Sequence, residues 1–163
     1  MSKCNFTALL VEIEQLTKNA RGVVALQQAI VETVARSLAY YNWIGFYMLD
    51  SEDAAMLALG PFHGKSTPHV RIPVTQGICG AAVAQGETVI VDDVASDPRY
   101  LSCSVDTKSE IVTPIRVRGL VVGEIDVDSH ARNAFQREDR EFLEKCAETV
   151  GHYMERMDGL RSY

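Results

Sequence analysis

Three acidic side chains alternate with apolar ones late in the sequence. Glu124, Asp126 and Asp128 are spaced two residues apart, and residues at this spacing in a β-strand point to the same face of the sheet. Three carboxylates in a row on one strand indicate either a solvated sheet face or an acidic site. Glu110 begins the preceding strand of a predicted hairpin and can reach the same face. Because crowded carboxylates resist ionising together, at least one of them can hold a proton near neutral pH and act as an acid.

Two of the four cysteines lie where a thiol could react. Cys103 lies in a long polar segment shortly before Glu110, and a thiolate beside a proton donor is suited to attack on an electrophilic sulfur while the acid protonates the departing oxygen. Cys79 lies between Gly77 and Gly80, which predicts a turn with an accessible side chain. It could resolve an oxidised Cys103 as a disulfide. For each cysteine the competing interpretation is a small buried apolar residue.

Aromatic residues of one predicted strand provide a second candidate surface. Trp43 and Tyr47 share a strand face, which could cradle a methyl or sulfonium-like group; core packing is the alternative. His63 and His69 have no carboxylate or histidine at metal-ligand spacing, so neither a metal nor another cofactor is expected.

Composition restricts the class of partner. The chain has 163 residues, of which 47% are hydrophobic and 23% charged, as is typical of a globular domain with one core. A formal charge of −6 without a basic cluster argues against nucleic acid. No apolar run approaches the roughly 18 residues of a membrane span, and residues 1–10 do not resemble a signal peptide. We therefore expect a cytoplasmic protein that binds a small molecule or another protein, with no membrane association.

Periodicity predicts the elements that position these residues. Helices are expected at about 5–18, 23–39 and 136–157, and a short helix at 81–84 with Gly86 as its C-cap. The polar segment 92–108 is long enough to be a functional lid. Strands are expected at 43–49, 56–59, 70–74, 88–91, 109–117 and 120–128, with a break at 60–61.

This order predicts an α+β fold in which an antiparallel sheet carries the N- and C-terminal helices on one face and a ligand pocket on the other. We expect a single domain over residues 1–163, with N-terminal helices in 1–40, sheet and pocket loops in 41–130, and the C-terminal helix in 136–157.

Five segments resemble, in order, the free methionine-R-sulfoxide reductases, a family of GAF domains. The resemblance extends from about residue 41 to residue 143, and the segments at 59–65 and 123–128 are its more specific parts. The segments read Asn-Trp-Ile-Gly-Phe-Tyr at 42–47, Leu-Gly-Pro-Phe-His-Gly-Lys at 59–65, Gly-Ile-Cys-Gly at 77–80, Ser-Glu-Ile-Val-Thr-Pro at 109–114 and Gly-Glu-Ile-Asp-Val-Asp at 123–128.

The resemblance implies reduction of free L-methionine-R-sulfoxide to methionine through sulfenic acid and disulfide steps, with thioredoxin or a small thiol as reductant. Cys103 matches the catalytic cysteine, and Trp43 and Tyr47 match the aromatic wall around the methyl sulfoxide. The residues that match the carboxylates for the amino group and the sulfoxide oxygen are Glu110, Asp126 and Asp128. The long terminal helices could form a two-fold homodimer, as they often do in the family.

Three features depart from the family pattern. Residues 66–70 contain no cysteine, whereas family members commonly carry a resolving cysteine there. Residues 100–104 read Tyr-Leu-Ser-Cys-Ser in place of His-Ile-Ala-Cys-Asp, and Glu124 replaces an apolar residue. Resolution would therefore fall to Cys79, or to a small thiol or reductase that attacks Cys103 directly.

Two other functions stay open at this point. The chain could be a non-catalytic GAF domain that senses a small molecule in the same pocket. It could also be a thiol redox switch in which Cys79 and Cys103 form a disulfide without processing a substrate.

Overall fold

A computed structural model of the protein describes residues 5–102 and 104–160. Its helices are α1 (Phe6–Asn19), α2 (Val23–Ser37), α3 (Gly77–Gln85) and α4 (Arg137–Leu160), and a 3₁₀ turn covers Val94–Ser96. Its strands are β1 (Trp43–Leu49), β2 (Met56–His63), β3 (Arg71–Pro73), β4 (Val89–Val91), β5 (Ser109–Val117) and β6 (Leu120–Ser129).

The strands form one antiparallel sheet in the order β3-β2-β1-β6-β5-β4. The acidic strand β6 is therefore central and pairs with β1 on one side and with β5 on the other. Successive side chains of a strand point to opposite faces of the sheet, so alternate residues of β6 lie in two different environments.

Helices α1, α2 and α4 cover one face of the sheet. Ile44, Phe46, Ile125 and Val127, which alternate with the polar or aromatic residues of β1 and β6, are fully buried against these helices. Helix α3 and the loops cover the opposite face, where Trp43 and other residues form a second apolar cluster. The predicted α+β class, with the terminal helices gathered on one face, is confirmed.

Strand β2 differs from the sequence prediction. We expected a break at Gly60 and Pro61, but β2 continues through both residues to His63. Proline cannot donate a ladder hydrogen bond and is tolerated in strands at irregularities. The β1–β2 register shifts between Gly45 and Tyr47, opposite these residues, and this bulge accommodates the proline.

Helix α3 is longer than predicted and begins earlier. It starts at Gly77 rather than at Ala81 and ends at Gln85, and the left-handed conformation of the following Gly86 confirms the predicted C-cap. Gly77 takes a positive φ of 72°, which glycine adopts without steric cost. As a result Cys79 lies in the first turn of a helix and not in an open turn.

The terminal helix α4 lies close to the sheet at Gly151. A Cβ atom at this position would lie 2.1 Å from the carbonyl oxygen of Arg116, so the helix can pack here only without a side chain. None of the helices in residues 5–102 and 104–160 is long and apolar enough to cross a bilayer.

We expect Gly151→Ala to lower the free energy of unfolding by about 1–3 kcal/mol, because the added methyl group must push α4 away from β5. Gly159→Ala is the matched control: it lies in the same helix with nothing within 4 Å of the added Cβ. Alanine favours a helix there by up to about 1 kcal/mol. Urea unfolding of both variants checks the prediction, and equal stability of the two would contradict it.

Candidate functional site

Four carboxyl groups lie together on the α3-covered face of β5 and β6. We call Glu110, Glu124, Asp126 and Asp128 the acidic cluster. Their exposed fractions are 5%, 0%, 4% and 5%, so the row is not a solvated sheet face. Ionisable side chains are almost never buried without compensation, and the cluster is therefore the most unusual feature of this fold.

The register of the central strands sets the order of the site. Asp128 lies between Trp43 of β1 and Glu110 of β5, and Asp126 lies beside Gly45. A Cβ atom on Gly45 would be 2.4 Å from the indole of Trp43. The missing side chain thus lets the indole fold along β1, toward Asp126.

Burial determines the protonation of the cluster. Loss of hydration raises the pKa of Glu110, Glu124 and Asp128 well above their ordinary range, and the negative charge of Asp126 raises them further. Burial likewise raises the pKa of Asp126 to about 7. The cluster therefore retains protons at neutral pH and can donate one.

Cys79 reaches the cluster from α3. Its thiol donates a hydrogen bond to Oδ2 of Asp126 across 3.6 Å. Burial, followed by the negative charges of Asp126, Glu124 and Glu110, raises the pKa of this thiol well above its usual value. The expectation of an accessible Cys79 is wrong, because helix α3 begins early and turns the side chain inward, where only 4% is exposed.

Several oxygens of the cluster have no hydrogen-bond partner among the described residues. They are both side-chain oxygens of Glu124, Oδ1 of Asp126 and Oδ1 of Asp128. Most buried polar atoms in proteins are hydrogen-bonded, and no ion pair between described residues includes a cluster member. The arrangement can accept a cationic group or a ligand with several donors.

An aromatic wall flanks the acids, formed in part by the two residues that sequence reasoning selected. The indole of Trp43 stacks on the ring of Phe62 with 5.6 Å between the ring centroids, and it stacks on the ring of Tyr47 with 6.3 Å between the centroids. The indole Nε1 donates to the carbonyl of Lys65, and the Tyr47 hydroxyl donates to that of His69. Sequence reasoning missed Phe62, although the alternation of β2, once extended past Pro61, would have identified it.

The site opens through a small cavity beside Asp128. The cavity measures about 50 Å³ and is lined by residues of four loops as well as by Trp43 and Asp128. The Thr107 hydroxyl, which sequence reasoning also missed, donates to Asp128 across 3.5 Å. An ion pair of 3.0 Å between Lys65 and Asp106 joins two of the loops. A much larger cavity of about 1220 Å³ lies against α1 and α4 and includes no member of the cluster.

Cys103, the predicted nucleophile, lies outside the described residues. The residues on either side of it contact the same loops: the carbonyl of Ser102 lies 3.0 Å from Nε2 of His69, and Ser104 lines the small cavity. The position of the Cys103 thiol relative to the acidic cluster stays a prediction.

Comparisons with known proteins give a consistent result. Residues 6–154 match the GAF domain family. The chain is 33% identical over 150 residues to the free methionine-R-sulfoxide reductase of Escherichia coli, covering 88% of this chain and 85% of that protein. It is 38% identical over 146 residues to protein YtsP of Bacillus subtilis, covering 90% and 88% of the two chains.

A solved structure is similar over nearly the whole fold. The X-ray structure of free methionine-R-sulfoxide reductase from Neisseria meningitidis in complex with its substrate superposes with a TM-score of 0.87 at 30% identity. The match covers 94% of this chain and 91% of the other. These similarities confirm the family expected from the sequence.

The buried acids make stability depend on pH in a defined direction. Asp126 has a folded-state pKa of about 7 against 3.8 ordinarily, so between these values the folded state binds more protons than the unfolded state. The free energy of unfolding of the protein therefore falls as pH rises through this range. At about 1.36 kcal/mol per pKa unit, the loss reaches up to about 4 kcal/mol by pH 8.

We expect Asp126→Asn, which cannot ionise, to lose less stability between pH 4 and pH 8 than the unsubstituted protein. Urea unfolding across this range measures the difference. Asp92→Asn, at an exposed carboxyl, should follow the unsubstituted protein. An equal or steeper loss of stability in Asp126→Asn would contradict the raised pKa of the buried Asp126 carboxyl.

Proposed function

Because the chain belongs to the GAF domain family and, within it, to the free methionine-R-sulfoxide reductases, we propose that it reduces free L-methionine-R-sulfoxide to L-methionine with Cys103 as nucleophile. The observation that carries this proposal is the acidic cluster, whose unpartnered oxygens lie beside an aromatic wall. A free amino acid offers an ammonium group to the acids and a methyl sulfoxide to the aromatic rings. A methionine residue within a peptide has no such ammonium group.

The chemical step transfers the sulfoxide oxygen to Cys103. The thiolate attacks the sulfoxide sulfur and forms a transient sulfur–sulfur bond while Glu110 protonates the oxygen. The hydroxyl then passes to the Cys103 sulfur as the sulfur–oxygen bond of the substrate and the transient sulfur–sulfur bond both break. The products are methionine, reduced by two electrons, and Cys103 sulfenic acid, oxidised by two. Glu110 suits this role because burial and the neighbouring Asp126 and Asp128 keep its carboxyl protonated.

Asp126 and Asp128 hold the ammonium group in this proposal. Each has one oxygen without a hydrogen-bond partner in residues 5–102 and 104–160, while its second oxygen accepts a hydrogen bond from Cys79 or Thr107. The ammonium group of the substrate favours the ionised forms of Asp126 and Asp128. Protons that these two acids hold in the free protein therefore move toward Glu110 when the substrate binds. Binding would thus prepare the acid for the reaction.

Cys79 is the proposed resolving thiol. Its sulfur attacks the Cys103 sulfenic acid, and Asp126 accepts the thiol proton and passes it to the sulfenic hydroxyl, so that water leaves as the disulfide forms. Because Cys79 is buried and protonated, its thiol must give up its proton before it can attack. Direct attack on Cys103 by a small thiol or reductase is the alternative route. Thioredoxin as reductant, a cytoplasmic location, a single domain and a two-fold dimer complete the proposal.

We expect the reduced protein, supplied with thioredoxin or dithiothreitol, to consume free methionine-R-sulfoxide and to leave the S epimer unreacted. Chiral chromatography of the substrates measures both. Cys103→Ser should abolish turnover because it removes the nucleophile. Cys146→Ser is the matched thiol control, since Cys146 is buried in the opposite core, and it should retain turnover.

Turnover by Cys103→Ser would remove this residue from the mechanism. Calorimetric binding of an amino acid without any turnover would point instead to a sensing module. If peroxide forms a disulfide between Cys79 and Cys103 but free methionine sulfoxide does not, the protein is a redox switch and not the proposed enzyme.

We expect Glu110→Gln to lower kcat/KM by about 10²–10⁴, the usual contribution of a general acid. In the unsubstituted enzyme, kcat/KM should fall at high pH as Glu110 ionises, and the variant should lose this dependence. Steady-state rates across the pH range test both effects, with Asp92→Asn as the surface control. Unchanged rates in Glu110→Gln would contradict its role as the acid.

A further inference from the structure

We propose that Cys79, Glu110 and Asp126 form a binding site for a soft divalent cation such as Zn²⁺, with Glu124 beside it as a fourth ligand. Spacing along the sequence does not indicate this site, because its members come from α3, β5 and β6 and are far apart along the chain. Their proximity follows from the sheet register and from the inward turn of α3.

The spacing of the ligand atoms supports coordination. The Cys79 sulfur and one oxygen each of Glu110 and Asp126 all lie within 4.8 Å of one another. Zinc bonds to sulfur at about 2.3 Å and to carboxylate oxygen at about 2.0 Å, so tetrahedral geometry separates two such ligand atoms by about 3.5 Å. The Cys79 sulfur already lies 3.6 Å from Oδ2 of Asp126.

Glu124 provides an independent sign of a ligand. Glu124 lies on the same strand face as Asp126, is fully buried and interacts with the Cys79 thiol. Neither of its carboxylate oxygens has a hydrogen bond of regular geometry within the described part of the chain. No ion pair among the described residues neutralises it or its neighbours. A divalent cation between these groups would satisfy several acceptors at once.

The donor set favours one class of metal. A thiolate with carboxylates binds Zn²⁺ or Co²⁺, whereas Mg²⁺ and Ca²⁺ prefer six or more oxygen ligands. The cation would overlap the position proposed for the substrate ammonium, so zinc should compete with substrate. The metal site itself does not depend on the proposed reaction, and its test is direct binding.

Cobalt titration of the full chain tests the site. Co²⁺ reports thiolate ligation through a charge-transfer band and four-coordination through intense d–d bands. We use Cys4→Ser/Cys103→Ser, which leaves Cys79 and Cys146 as the only thiols. This variant should show both bands, and adding Cys79→Ser should remove the charge-transfer band. Absence of the band in the first protein, or its persistence in the second, would overturn the proposal.

Isosteric carboxyl variants test the remaining ligands without depending on the Cys79 variant. In the same background, Asp126→Asn and Glu110→Gln should each weaken Co²⁺ binding at least tenfold, a loss typical for a metal site. Asp92→Asn should leave it unchanged. Unaltered affinity in Asp126→Asn would refute the site. Metal binding in a protein without sulfoxide turnover would refute the proposed function alone, and turnover without metal binding would refute only this proposal.

Discussion

The structure depends on the burial of four carboxyl groups at the centre of its sheet without a neutralising cation among the described residues. Burial of this kind destabilises the ionised forms, so protons remain on acids that would otherwise lose them well below neutral pH. The same burial leaves oxygens of Glu124, Asp126 and Asp128 without hydrogen-bond partners among the residues that the structure describes. Retained protons and unpartnered acceptors together create a site that can both donate a proton and attract a positive charge.

The rest of the fold sustains this arrangement. The helices α1, α2 and α4 provide a large apolar core on the opposite face, whose stability offsets the cost of the buried acids. On the site face, α3 and the loops exclude water, and Trp43 occupies the space that Gly45 leaves free. Two of the loops at the mouth are joined by the exposed ion pair Lys65–Asp106, and exposed ion pairs contribute little free energy. Most of the stability of the molecule therefore comes from the apolar core on the opposite face.

Period-two alternation predicted the shared face of Glu124, Asp126 and Asp128, and the helical periodicity predicted α1, α2 and α4, because these signals are local. The burial of that face could not be predicted from β6 alone, since it depends on α3 packing across the sheet. Pro61 was wrongly taken as a strand end because the compensating bulge, in which residues 60 and 61 face a single residue of β1, depends on the pairing of the two strands and not on β2 alone. The prediction of an accessible turn at Cys79 was wrong because Gly77, a residue type common in turns, is here the first residue of a helix.

Recognition of a positive charge by the acidic cluster is the property on which the proposed function depends. Calorimetric binding of free methionine and of N-acetylmethionine compares two nearly identical ligands, of which only the first carries an ammonium group. Loss of a buried charge partner costs about 2–5 kcal/mol, so we predict that N-acetylmethionine binds at least about thirtyfold more weakly. Equal affinity for the two ligands would contradict the account.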